Sequence, residues 1–292
     1  MDRKKFIKNS LLVAGVGPAV IKSAVIDNNI DELKPINQKQ IGFNHIPNKE
    51  KERTMNSIIH RAETRGHANH GWLDTHHTFS FANYYNPERM HFGVLRVLND
   101  DRVAAGMGFG THPHDNMEII SIPLEGDLEH KDSMGNVSVI KNGDIQVMSA
   151  GTGITHSEYN RNKNSEVRFL QIWVFPNKKN VTPRYDQITL KDSDRHNKFQ
   201  QILSPYPEDE GVWIHQNAWF NLADLEKGKS IEYNMKDPRN GLYTFLLNGK
   251  IKVDDNELNK RDGIGLWSVD GLLKYEGLEN SKILTMEVPM AI

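Results

Sequence analysis

Short apolar runs, each ended by Gly, Asn, Asp or Pro, recur from about Met55 to the last residues of the chain. Ile119-Ile120-Ser121-Ile122-Pro123-Leu124 leads into Glu125-Gly126. Val137-Ser138-Val139-Ile140 follows the turn-forming residues 132–136. Ile145-Gln146-Val147-Met148 follows Asn142-Gly143-Asp144, and Phe169-Leu170-Gln171-Ile172-Trp173-Val174 stops just before Pro176. Runs of this length, rich in β-branched and aromatic residues and punctuated by turn formers, predict strands of an all-β sandwich or barrel.

The same order returns further along. Leu242-Tyr243-Thr244-Phe245-Leu246-Leu247 is followed by Asn248-Gly249, then Ile251-Lys252-Val253, the turn Asp254-Asp255-Asn256, Arg261-Asp262-Gly263 and Ile264-Gly265-Leu266-Trp267. Strand, Gly, strand, turn, a Gly/Asp pair and strand occur twice, which predicts two copies of one β fold. Asn221-Leu222-Ala223-Asp224-Leu225-Glu226 is one of the few stretches that reads as a helical turn.

The first fifty-odd residues follow a different pattern. Arg3, Lys4, Lys5 and Lys8 precede an apolar run from Leu11 to Ile21, broken by Gly15, Gly17 and Pro18. A basic segment followed by a short apolar one has the form of an export signal, and the run is too short to span a bilayer as a helix. Asp2-Arg3-Lys4-Lys5-Phe6-Ile7-Lys8 resembles a twin-arginine signal with Lys in place of the second Arg. Residues 1–25 are therefore expected to direct export to the periplasm, a cytoplasmic location being the alternative. Residues 26–54, polar with Pro35 and Pro47, read as a linker. Residues 55–185 and 186–292 are expected to form the two β domains.

Composition narrows the function classes. The chain has 292 residues, 37% hydrophobic and 25% charged, so it can build a real core. Its mean hydropathy is negative, which argues against a polytopic membrane protein. A net charge of −2 gives no electrostatic reason to expect nucleic acid as a partner. There are no cysteines, so disulfides, thiolate metal sites and Cys nucleophiles are excluded. Any metal must be held by His, Asp, Glu or backbone oxygen.

Two stretches carry the candidate chemistry: Thr111-His112-Pro113-His114 and Thr155-His156-Ser157-Glu158. Each spaces two donors at i and i+2, which on a strand point to the same face. Adjacent strands would then bring three imidazoles and one carboxylate to one point. That set suits a borderline divalent transition metal such as iron(II), with copper, nickel and manganese as alternatives, rather than calcium or magnesium. A lone His-x-His is more often an ordinary strand pair; the second pair in the same β setting favours metal. Glu118 is a rival carboxylate. On an extended strand it shares the face of His112 and His114, as a ligand, a support for an imidazole or a base.

The other candidates are weaker. His67, His70, His76 and His77 lie in a turn-rich segment and read as loop histidines bonded to backbone, substrate binding being the alternative. Phe79, Phe81, Tyr84 and Tyr85 read as core or pocket wall. Glu129-His130 reads as an exposed strand pair. No Ser/His/Asp arrangement, phosphate loop or dinucleotide fingerprint occurs.

Residues 65–73 (Arg-Gly-His-Ala-Asn-His-Gly-Trp-Leu), Phe79-Ser80-Phe81-Ala82-Asn83-Tyr84-Tyr85, 108–114, Met117-Glu118 and 148–160 resemble the motifs of the pirin family. The resemblance extends from about Ser57 to the C-terminus. It implies a bicupin, two double-stranded β-helix (jelly-roll) barrels packed face to face, with metal in the N-terminal barrel alone. It places the iron ligands on His112, His114, His156 and Glu158. It also implies quercetin 2,3-dioxygenase activity: a flavonol and dioxygen as small-molecule partners, with carbon monoxide and a depside as products. Glu158 or Glu118 would then take the flavonol hydroxyl proton. The resemblance leaves two other readings open, a non-enzymatic iron-binding redox sensor or regulatory binding protein, and a metal-bound fold with a different small-molecule substrate. A single chain is expected to act alone, with no transmembrane span.

Overall fold

In a computed structural model the structure describes residues 55–292; the expected leader and linker lie outside the described residues. Twenty-two strands and two short 3-10 turns make up this part of the chain. Each expected strand is present: Val137–Ile140 keeps its bounds, Ile119–Leu124 becomes Glu118–Glu125, and the run at 242–247 becomes Asn240–Asn248. Pro123, which cannot donate to a ladder, sits beside a register shift in the pairing with Val167–Val174.

The strands form two copies of one arrangement. In each copy a seven-stranded sheet lies with a four-stranded one. The first four-stranded sheet contains Gly108–His114, Leu128–Asp132, Val137–Ile140 and Ile154–Asn160. The second contains Ser230–Tyr233, Lys250–Val253, Asn256–Asn259 and Leu273–Gly277. In both, the fourth strand in sequence inserts between the first and second. This shared jelly-roll order makes the protein an all-β bicupin.

The two seven-stranded sheets meet through one apolar layer. Leu95, Ile120, Ile122, Val147, Leu170 and Ile172 from the first copy pack with Leu203, Phe220, Tyr243, Phe245 and Leu284 from the second. The N-terminal strand Asn56–His60 pairs antiparallel with Gly263–Trp267, so it belongs to the second barrel although it precedes the first. His60 Nδ1 lies 2.9 Å from the Tyr243 hydroxyl at that junction. The expected division at 185/186 falls inside the strand Arg184–Thr189, which pairs with Asp144–Ser149 of the first barrel.

Asn221–Glu226 is not helical. Trp219–Leu225 is a central strand between Gln200–Ser204 and Ser281–Pro289. Both of its faces are buried, so the apolar/polar alternation that marks a strand is lost, and pairing overrides the helical leaning of Leu and Ala.

The two barrel interiors differ in kind. Ile231, Leu242, Leu246, Ile251, Val253, Leu273 and Tyr275 fill the second with apolar side chains. The first buries Asn99, Asp101, Ser121, His130, His156, Glu158 and Gln171. By topology and register Ile231 stands opposite Tyr275 as His112 stands opposite His156, and Tyr233 opposite Leu273 as His114 stands opposite Ile154. The second barrel is plugged where the first carries donors.

Candidate metal centre

Gly108–His114 and Ile154–Asn160 are neighbours in one sheet, with His112 directly opposite His156. Between His156 and Glu158 the register slips, because His112 to Phe109 on one strand spans three residues against two on the other. The extra residue is a β-bulge, a device that re-aims side chains beside sites. His112 Nδ1 donates to the Gly110 carbonyl at 2.8 Å, which fixes its tautomer and leaves Nε2 free as an acceptor.

Three imidazoles converge. Ring centroids are 4.5 Å apart for His112–His156, 4.8 Å for His112–His114 and 4.9 Å for His114–His156. One ring nitrogen from each lies within 4.8 Å of the others. Both ring nitrogens of His156 are buried without a hydrogen-bond partner. Burial, then the neighbouring imidazoles, pushes His156 down to about 2; burial and His112 push His114 down to about 4. Both are neutral at physiological pH, the form that binds metal.

Glu158 lies two residues beyond His156 on the same strand. Its Oε1 accepts from Ser121 Oγ at 3.0 Å and its Oε2 from Gln171 Nε2 at 2.6 Å. Burial pushes its carboxyl up to about 7, while these two donors pull it back. A cation beside it would favour the carboxylate. Its donor atom groups with His156 and His130 within 4.8 Å. His130 was expected on an exposed strand pair with Glu129, but it is fully buried; its Nε2 donates to Asp132 Oδ2 at 3.1 Å. Its Nδ1 has no partner and its ring lies 5.3 Å from His156. Strand alternation explains the difference, since Glu129 faces out to Lys131 and Arg161 while His130 shares the inner face of Leu128. That alternation was the signal in the sequence.

Glu118 does not share the face of His112 and His114. The chain turns at Asn116, at φ 44°, and Glu118 starts a different strand, three residues from the inward-pointing Ser121. It accepts from Ser149 Oγ at 2.6 Å and from the His215 backbone N–H on the opposite face, toward the second barrel. Burial raises its carboxyl to about 7.

An aromatic wall flanks the histidines. Trp173 packs edge-on to His114 at 4.9 Å, and Phe81 edge-on to Trp173 at 5.3 Å. Phe79 is core against Tyr243, Tyr84 packs on Gly66, and Tyr85 is on the surface rather than in a wall. His77 is not a loop residue; it is buried in the strand Leu73–His77, and its Nδ1 donates to Asn99 Oδ1 at 2.8 Å. A groove of about 530 Å³, lined by Arg168, Arg195, Leu222, Arg261 and Lys282 among others, contains none of these donors.

The donor set fits a borderline divalent ion: three converging imidazoles, of which His156 has no hydrogen-bond partner, and a nearby carboxylate held at both oxygens. Known proteins point the same way. Residues 59–174 match the family model described as Pirin, and residues 201–288 the one described as Quercetinase C-terminal cupin domain. A quercetin 2,3-dioxygenase of Escherichia coli K12 is 40% identical over 232 residues, 79% of this chain and 98% of that one. The chain belongs to the pirin family. A relative described as a putative quercetin 2,3-dioxygenase, from Zymomonas mobilis, is 44% identical over 75% of this chain and 92% of its own. The crystal structure of the bacterial pirin YhhW from Escherichia coli in complex with nickel(II) matches with a TM-score of 0.75 and 38% identity, over 80% of this chain and 99% of that one. No helix among the described residues is long and apolar enough to cross a membrane.

Proposed function

We propose that this pirin is a metal-dependent dioxygenase that opens the heterocyclic ring of a flavonol such as quercetin, taking up dioxygen and releasing carbon monoxide and a depside. The observation that carries this reading is the convergence of His112, His114 and His156 beside a buried Glu158 in one barrel, while the other barrel is filled. The names of the relatives at 40% and 44% identity support the same substrate class.

His112, His114, His156 and Glu158 would hold the ion, iron(II) being our preferred identity. When bound, such an ion acidifies a coordinated hydroxyl and supplies redox chemistry toward dioxygen. The protein's own residues do the rest. Ser121 and Gln171 hold Glu158 so that its remaining lone pairs face the histidines, where it accepts the flavonol 3-hydroxyl proton. Trp173 and Phe81, packed edge to face, give an apolar aromatic wall beside His114 against which an aromatic substrate packs. Glu118, turned to the other face, takes no part. We place the leader's role in export to the periplasm, with the protein acting there as a single chain.

The test is oxygen uptake and carbon monoxide release by iron-loaded protein with quercetin. Turnover is expected from the wild type and none from His112→Ala. No uptake by either protein, with iron bound stoichiometrically, would overturn the reading.

A further inference from the structure

A second group of donors stands apart from the barrel interior, on the hairpin formed by Gly66–Asn69 and Leu73–His77. His67 is directly opposite His76 in the antiparallel register, and their rings stack at 4.5 Å with 21° between planes. Asp74, two residues before His76, shares that face. His67 Nε2 donates to Asp74 Oδ1 at 2.7 Å. One donor atom from each of the three lies within 4.8 Å of the others.

We infer that His67, Asp74 and His76 form a second, surface site for a borderline divalent cation such as zinc(II) or nickel(II). Two imidazoles and one carboxylate, with positions left for water, are a donor set these ions accept in three-ligand sites. A simple ion pair between His67 and Asp74 would not need the second ring. His76 is instead stacked on the first, which places a second nitrogen donor beside the same oxygen.

The carboxylate is already oriented. Arg102 Nη2 donates to Asp74 Oδ2 at 2.6 Å and leaves Oδ1 turned to the histidines. Outer partners that fix a ligating carboxylate in this way raise its value as a ligand. His67 is 52% exposed, so an ion can enter with its water and the imidazole can turn without moving backbone. Donors around a tetrahedral ion with bonds of about 2.0–2.1 Å sit roughly 3.4 Å apart, which side-chain rotation alone can reach from the observed spacing. The surroundings are basic: Arg102 touches Asp74, and the neighbouring Asp100 is engaged by Arg65 and Arg261. This site is therefore weaker than the interior one.

The test is calorimetric titration of the chelator-stripped full chain with zinc(II), repeated with nickel(II). Wild type is expected to show two classes of site, one equivalent each. The double variant His67→Gln/His76→Gln should lose the weaker class and keep the tighter. The double variant His112→Ala/His114→Ala should lose the tighter and keep the weaker. A single class in wild type, or a weaker class that survives in the His67/His76 variant, would overturn the inference. Dioxygenase activity does not enter, so the result stands apart from the fate of the proposed reaction.

Discussion

His112 and His156 stand directly opposite one another on paired strands, with ring centroids 4.5 Å apart and no hydrogen-bond partner for either nitrogen of His156. A buried, unpaired imidazole is costly to an apo fold, on the order of 1–3 kcal/mol. His156→Leu should therefore raise the unfolding free energy of metal-free protein while abolishing stoichiometric metal in the barrel. Denaturant unfolding of chelator-stripped protein and elemental analysis of loaded protein check the two halves. A destabilised apo variant would contradict the assignment of His156 as a residue kept for its ligand role.

Gln171 is the support of Glu158 through a 2.6 Å bond, with Ser121 on the other oxygen. Outer partners of this kind typically change metal affinity by about 10–100-fold. Gln171→Ala should weaken binding in that range, measured by competition with a chelator, and leave the stoichiometry at the interior site unchanged.

The strand clasp carries a pH dependence of its own. Burial, followed by the positive charge of Arg89, lowers His60 to about 4 from 6.5. The unfolded chain therefore binds more protons than the folded one between these values, and protonation favours unfolding. Stability is full above pH 6.5 and falls as the pH drops toward 4. The loss from this group is about 3 kcal/mol, at roughly 1.4 kcal/mol per pKa unit. In metal-free protein, His60→Gln should flatten the stability-against-pH curve over this window. An unchanged slope would remove His60 from the account.

The plug in the second barrel is equally specific. Tyr275 is fully buried opposite Ile231, where the first barrel has His156 opposite His112. Tyr275→His puts an imidazole among apolar side chains with no second donor strand to join. It should cost about 2–4 kcal/mol in chemical unfolding and create no third metal equivalent.

Much of this was legible in the sequence. The His112/His114 and His156/Glu158 pairs are local; the paired strands bring the three imidazoles together, while Glu158 groups with His156 and His130. The repeat was visible because each barrel reuses the same turn signals. Three features were read wrongly, each for its own reason. Glu118 is only four residues from His114, but the turn at Asn116 reverses its face. His130 looked exposed beside Glu129, because a charged neighbour on an alternating strand reports the opposite side. Trp219–Leu225 lost its alternation by being buried on both faces. The bulge that shifts Glu158 against Phe109 likewise has no marker beyond the glycines nearby.

In the proposed reaction Trp173 would link the histidine cluster to substrate selection. It packs edge-on to His114, and Phe81 packs on it in turn. It donates to no group, since its Nε1 is buried without a partner. Its contribution to the proposed reaction is therefore apolar area and shape. Trp173→Ala should leave metal stoichiometry intact and lower kcat/KM for quercetin by about tenfold or more, as losing a large aromatic contact predicts. The effect should fall mainly on KM, because the wall contacts substrate without touching the bonds that change. A variant that loses its metal would instead make Trp173 a support of His114, and a variant with unchanged kinetics would place the substrate elsewhere around the histidines.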